Sequence, residues 1–308
     1  MKSCCKMLAV ALAGLTLAGA AQAQTTLRYK FKEGEKLEYV VDQDQKMSMS
    51  INGMDIDMKV KMVMEMDWQT LKVDNQGAAE VKVVISRVKM AMDGPTGNVE
   101  VDSKDKEEPG DPIGQIFAQI VKAIGGMEMT FTSDATGDLR DTKISEGTAK
   151  KLKGIPGIDK LGGDMFSPDN MKSMMASNMV LPKEPVSKGK SWTQKTNQKL
   201  PFGKLTGETT YTYEGEIEKN GKKLEKIAVK PDIKIEPDPN SPIQIKVKGG
   251  SGKGTTLFDN TAGRVIESTN EQKMEMELEI GGMTINQNIT QTTTMRLKGT
   301  ERSKEPPR

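Results

Sequence analysis

Histidine is absent from all 308 residues, and the only two cysteines, Cys4 and Cys5, lie close to the N-terminus. Without histidine there is no Ser-His-Asp or Cys-His nucleophile, no imidazole zinc site and no imidazole general base. Aromatic residues make up 4% of the chain, too few for the stacking platforms of a sugar-cleaving cleft. Carboxylates are plentiful but alternate with apolar residues, which puts them on wet strand faces rather than in a glycosidase-like pair. Beyond the N-terminus no apolar run approaches the ~20 residues of a spanning helix. These absences lead us to expect a non-enzymatic protein with no cofactor, no metal held by histidine or cysteine, and no transmembrane segment after the leader.

What is present begins with that leader. Lys2 and Lys6 precede an apolar and small-residue run, Leu8 to Leu17, and Ala21-Gln22-Ala23 is a small-x-small cleavage site. The expected cut lies between Ala23 and Gln24. Both cysteines leave with the leader, so the mature chain has no disulfide. Leu17-Ala18-Gly19 leads to Ala20 rather than cysteine, so no lipid anchor is expected. Removing Lys2 and Lys6 brings 45 basic residues level with 43 acidic ones. That balance argues against a nucleic-acid partner or a polybasic membrane anchor. The expected location is extracytoplasmic, periplasmic or secreted.

Period-two alternation dominates the rest. Met58, Val60, Met62, Met64, Met66 and Trp68 alternate with mostly charged residues, as do Met274, Met276, Leu278 and Ile280. Such runs predict antiparallel strands with one buried face. Asn75-Gln76-Gly77, Asn220-Gly221, Asn260 to Gly263 and Gly281-Gly282 supply turns between them. Asp111 and Pro112 open a helix carrying Ile113, Ile116, Phe117, Ile120, Val121 and Ile124 at helical spacing, stopped by Gly125-Gly126. A second helix is expected from Ser167, with Met171, Met174, Met175 and Met179 on one stripe, and a weaker one over Thr148 to Lys153. The expected fold class is α+β, mostly β: a large curved antiparallel sheet of about a dozen strands with a few helices mid-chain. The expected division is leader 1–23, N-terminal β-half 24–147 with helix 112–124, connector 148–182, C-terminal β-half 183–302 and disordered tail 303–308. Phe131 to Leu139 and Leu257 to Val265 share a strand, a turn with glycine and a return strand, which reads as two related halves.

Gly249-Gly250-Ser251-Gly252-Lys253-Gly254-Thr255-Thr256 imitates a phosphate loop. Val247 occupies the place of the first required glycine and Gly254 that of the Ser or Thr after the lysine, and strand rather than helix follows. A flexible hairpin segment is the expected form.

Leu27-x-Tyr29-x-Phe31-x-x-Gly34-x-x-x-x-Tyr39 and Leu181-Pro182-x-x-Pro185-Val186-x-x-Gly189-x-x-Trp192 resemble the hallmarks of a family of uncharacterised secreted bacterial proteins, classed as a domain of unknown function. The resemblance implies export and a β-rich fold and brings no catalytic residues with it. A curved sheet closing on apolar helices also resembles, at the level of fold, the periplasmic lipoprotein carriers of the LolA type.

Methionine is over-represented, with 22 residues, of which Met1 and Met7 belong to the leader. Thioethers select Cu(I), but these methionines sit at core-facing strand positions, where methionine is an adaptable filler. The leading expectation is an apolar or lipid-type ligand held between sheet and helices by Met62, Met64, Met66, Trp68, Ile116, Phe117, Ile120, Met274, Met276 and Leu278. The alternatives are a structural or interaction protein of the cell envelope with no ligand, an envelope protein being its partner, and a methionine-based Cu(I) binder.

Overall fold

The computed structural model describes residues 24–51, 53–95, 97–107, 109–110, 112–153, 179–200, 203–239, 241, 243–280 and 282–299. Among the described residues twelve strands and two helices run in the order β1 (Lys36–Ile51), β2 (Met54–Val73), β3 (Ala79–Gly94), β4 (Gly97–Asp102), α1 (Pro112–Ile124), β5 (Glu128–Ser133), β6 (Leu139–Ile144), α2 (Glu146–Lys153), β7 (Ser191–Leu200), β8 (Gly203–Lys219), β9 (Lys222–Pro237), β10 (Ile243–Asp259), β11 (Arg264–Ile280) and β12 (Met283–Leu297). All strands join one open antiparallel sheet ordered β6-β5-β3-β2-β1-β12-β11-β10-β9-β8-β7, with β4 added on β3. The two halves of the chain meet where β1 pairs with β12, from Tyr39–Leu297 to Ile51–Ile285.

Alternation decides which residues turn inward. Directly opposed residues share a face, and the register sets Tyr39, Met66 and Ile85 side by side, as it does Met62 and Met90. On that inner face α1 lies over the N-terminal half. Its Ala118, Val121 and Ala123 are buried with Val81, Val83, Met129 and Phe131 of β3 and β5. A second cluster, around Tyr211, Tyr213, Ile227 and Phe258, forms in the C-terminal half. On the outer side Arg87 grips Asp102 through two nitrogens, holding β4 to β3 and drawing the Asp102 carboxyl below the usual carboxylate range.

Residues 25–31 form a strap that binds the halves together. Thr25 exchanges two backbone hydrogen bonds with Val186, Tyr29 donates to the Ala135 carbonyl at 2.8 Å, and Lys30 donates to that of Gly263 at 3.1 Å. The strap therefore sits on the β5–β6 turn and the β10–β11 turn, the two segments whose sequences resemble each other. Leu27, at its centre, is fully buried.

The structure adjusts several expectations. Gly249 to Thr256 is no hairpin: it runs inside β10, with a bulge between Val247 and Gly249. The weak helix starts two residues earlier than expected, at Glu146. Asp111, the helix expected from Ser167, its stripe up to Met175 and the tail 303–308 lie outside the described residues. Met179 is described, and its side chain is buried in the C-terminal cluster.

Candidate ligand-binding face

The inner face divides into three zones along the strands. The lower zone holds both core clusters. Here Met62, Met64, Met66 and Trp68 on β2 and Phe117 on α1 pack against one cluster. Ile120 remains half-buried and outside that cluster, while the Ile116 side chain lies outside what the structure describes. Met274, Met276 and Leu278 are not under α1. They sit on β11, separated from β2 by β12 and β1.

A polar band crosses the middle zone, where Gln43 opposes Thr293, Gln45 opposes Gln291, and these in turn oppose Asn270 and Gln272. Above it mostly apolar residues return in rows, interrupted by the buried Gln287. Met58, Met47, Ile289 and Met274 stand side by side across four strands; Ile56, Met49, Gln287 and Met276 form the next row, and Met54, Ile51, Ile285 and Leu278 the last. Most of these side chains are half-buried, Met276 is nearly covered, and Met54 at the hairpin tip is 66% exposed. Among the described residues no helix lies over these rows.

The rows end at an opening in the sheet. β9 pairs with β10 only from Glu225–Phe258 to Val229–Gly254, although both strands continue. Pro231 stands where the ladder stops, and it has no N–H to give. Gly252 makes room for it, since a Cβ there would come within 2.3 Å of the proline Cγ. Beyond them the strands diverge around a groove of about 230 Å³ lined by Pro231, Ile233, Val247, Gly252 and Met274. The groove leads on to an open trough of about 740 Å³ bordered by Ile235, Pro237 and Ile245. Met274 belongs to both the apolar rows and the groove.

At the lower end, where the two core clusters meet beneath the strap, lies a cavity of about 80 Å³ bordered by Tyr29, Phe31, Tyr39, Trp68, Phe131 and Val265. Burial pushes the phenols of Tyr29 and Tyr39 well above their usual range. Both are neutral donors, Tyr39 to the Val265 carbonyl at 3.0 Å and Tyr29 to that of Met179 at 2.9 Å. Arg264 pairs with Glu35 at 2.8 Å beside them.

Among the described residues no group of three or more acidic side chains is placed to hold a metal ion, and no helix is long and apolar enough to cross a membrane. The groove and the cavity escaped the sequence reading. Pro231 within a strand-like run is the signal that marks the groove; the cavity has none, because its walls come from residues more than 200 positions apart.

Residues 76–303 match the Family of unknown function (DUF6263). No curated protein matches the chain. Among solved structures, lipovitellin, in a structure concerned with lipid–protein interactions, is 11% identical with a TM-score of 0.48 over 91% of this chain, which spans only 26% of lipovitellin. A putative exported protein with a YmcC-like fold from Bacteroides fragilis is 10% identical, with a TM-score of 0.29 over 90% of this chain and 100% of its own. An outer membrane channel from Pseudomonas putida F1 is 6% identical, with a TM-score of 0.28 over 87% of this chain and 97% of its own. None of these structural likenesses bears on function.

Proposed function

We propose, for a chain that belongs to the family of unknown function DUF6263, the role of a non-enzymatic extracytoplasmic protein that binds an apolar, lipid-type molecule on the upper inner face of its sheet. One observation carries this reading: the apolar rows of β2, β1, β12 and β11 run into the groove where β9 and β10 part, with Met274 common to both. Covering such side chains is favourable by roughly 25 cal/mol for each Å² removed from water. Methionine suits the task because its unbranched, polarizable chain reshapes around a guest at little cost. The leader-like pattern from Lys2 to Ala23 supports a place outside the cytoplasm.

A second reading, an envelope interaction protein without a ligand, draws on the exposed Met54 and Met283 at adjacent hairpin tips. Native mass spectrometry of protein purified from its own envelope separates the two. A mature chain starting at Gln24 with a retained lipid mass supports the binder. Recovery of a protein complex with no lipid, together with no uptake of a fluorescent fatty acid by the purified chain, would establish the second reading instead.

A further inference from the structure

The centre of the sheet keeps charge off one face. From Tyr39 to Ile51 on β1, Met54 to Trp68 on β2, Ile285 to Leu297 on β12 and Ser268 to Leu278 on β11, no inward residue among those described is charged. The alternate residues face outward and include Lys59, Lys61, Glu65, Lys273, Glu275 and Glu277. The groove follows the same rule. Pro231, Ile233 and Gly252 stand on the inward register, while Lys230, Asp232 and Lys273 at its border are exposed on the other side. Dryness explains the lack of charge in the apolar rows. It does not explain the middle band, whose Gln43, Gln45, Asn270, Gln272 and Gln291 are only half-buried, at positions where a wet surface ordinarily carries lysine or glutamate.

The band offers hydrogen bonds without charge. Gln43 donates to Gln45 Oε1 at 3.5 Å, Gln291 to Thr293 Oγ1 at 3.0 Å and Asn270 to Ser268 Oγ at 3.5 Å, each along its own strand. The Gln272 carboxamide makes no hydrogen bond with a described residue, and it lines the groove beside Met274. Glycines on β10 leave room at this end of the band: a Cβ on Gly254 would come within 2.2 Å of Asn270 Oδ1, and one on Gly252 would meet Gln272 Cγ at 3.6 Å. A carboxamide both donates and accepts, so it matches ester carbonyls and hydroxyls equally. An anionic group brought here would lose its water and meet no cation, which is strongly disfavoured.

We infer that the ligand of the upper inner face, on the reading proposed above, is a neutral diester lipid of the diacylglycerol class. Its ester carbonyls and free hydroxyl meet the carboxamides of Gln45, Gln272 and Gln291, and its acyl chains lie along the apolar rows and in the groove. The spacing fits. Met274 follows Gln272 by two positions, about 7 Å, and Leu278 by six, about 20 Å of face for an extended chain. Gln287, the one carboxamide within the rows, is buried and donates to Met47 Sδ, so it presents no polar group to the chains.

Calorimetric titration of the full mature chain with dihexanoylglycerol and with dihexanoyl phosphatidate, which share their acyl chains, provides the test. The neutral diester should bind saturably and at least about tenfold more tightly than the phosphatidate, whose charge finds no partner on this face. Gln272→Leu should weaken dihexanoylglycerol binding roughly three- to tenfold, as expected for a lost hydrogen bond. Gln272→Lys, which sets a cation on the face, should shift the preference towards the phosphatidate. Equal or tighter binding of the phosphatidate by the unaltered chain would overturn the inference and leave the lipid-binding reading in place. So would a Gln272→Leu variant that binds the diester undiminished. Binding of neither lipid would overturn both. The comparison of the two lipids is made on the unaltered chain, so it stands even where a variant folds poorly.

Discussion

The Lys30 amide donates to the Gly263 carbonyl across 233 positions of sequence, and a Cβ on Gly263 would come within 2.3 Å of that same amide nitrogen. The strap can reach the β10–β11 turn only because residue 263 has no side chain. Gly137 plays the same part on the other turn, where a Cβ would stand 2.6 Å from the Tyr29 ring. Both glycines are also in the left-handed region, at φ 66° and 85°. Closure of the strap over the cavity therefore depends on two missing side chains in two distant hairpins.

This relationship predicts a graded response to alanine. Gly34 has a φ of 77° but nothing within 4 Å of where its Cβ would be, so Gly34→Ala should cost only the conformational strain, about 1–2 kcal/mol. Gly263→Ala adds a backbone clash, and its midpoint in urea should fall clearly further. Equal midpoints for the two variants would mean that the strap is not seated on Gly263.

The four tyrosines predict alkaline instability. Burial pushes Tyr211 up to about 12, and Tyr213, also buried and donating to Glu225 Oε2 at 2.6 Å, up to about 12, while Tyr29 and Tyr39 go higher. The unfolded phenol titrates near 10. Between these values the folded chain keeps protons that the unfolded chain releases, so stability is fully present below about pH 10 and is lost as pH rises towards 12. Tyr211 alone contributes on the order of 2 kcal/mol to that loss. Tyrosinate absorbance should stay flat to about pH 11 and then rise together with unfolding; a smooth titration centred near 10 in the folded protein would contradict the burial.

Helix α1 predicts a contrast between neighbours. Val121 is 2% exposed and belongs to the core cluster, whereas Ile120 is half-buried outside it. Val121→Ala should lose about 1.5–3 kcal/mol, and Ile120→Ala less than about 1 kcal/mol, because the cost of truncation follows burial. Chemical denaturation of both variants measures the difference. A larger loss at Ile120 would show that its face is packed core.

The methionines of β2 predict tolerance. Replacing Met62, Met64 and Met66 together by leucine should preserve the fold at under about 1.5 kcal/mol per site, since the exchange nearly conserves volume. Cu(I) titration of the wild type under reducing conditions should reveal no saturable site tighter than about micromolar. Stoichiometric Cu(I) binding that the triple variant abolishes would make these thioethers ligands rather than packing.

Amino-acid order alone was enough for the local architecture. Alternation from Met58 to Trp68 and from Lys273 to Ile280 specifies strands because side chains on a pleat repeat every two residues. The spacing from Phe117 to Ile124, ended by Gly125-Gly126, specifies α1, and Asn220-Gly221 specifies a tight hairpin. The pattern also placed Met62, Met64, Met66 and Trp68 on one inward face with Phe117. Pairing between distant strands was decided only in three dimensions. β1 joins β12 across more than 200 residues, and nothing local in either strand names the other, since many partners satisfy the same alternation. That pairing set Met274, Met276 and Leu278 three strands away from β2 rather than under α1. It also fixed where Pro231 breaks the ladder against Gly252 and where Tyr39, Trp68 and Val265 enclose a cavity. Periodicity reports which side of a strand is dry; which strands lie beside it is settled by the packing of the whole sheet.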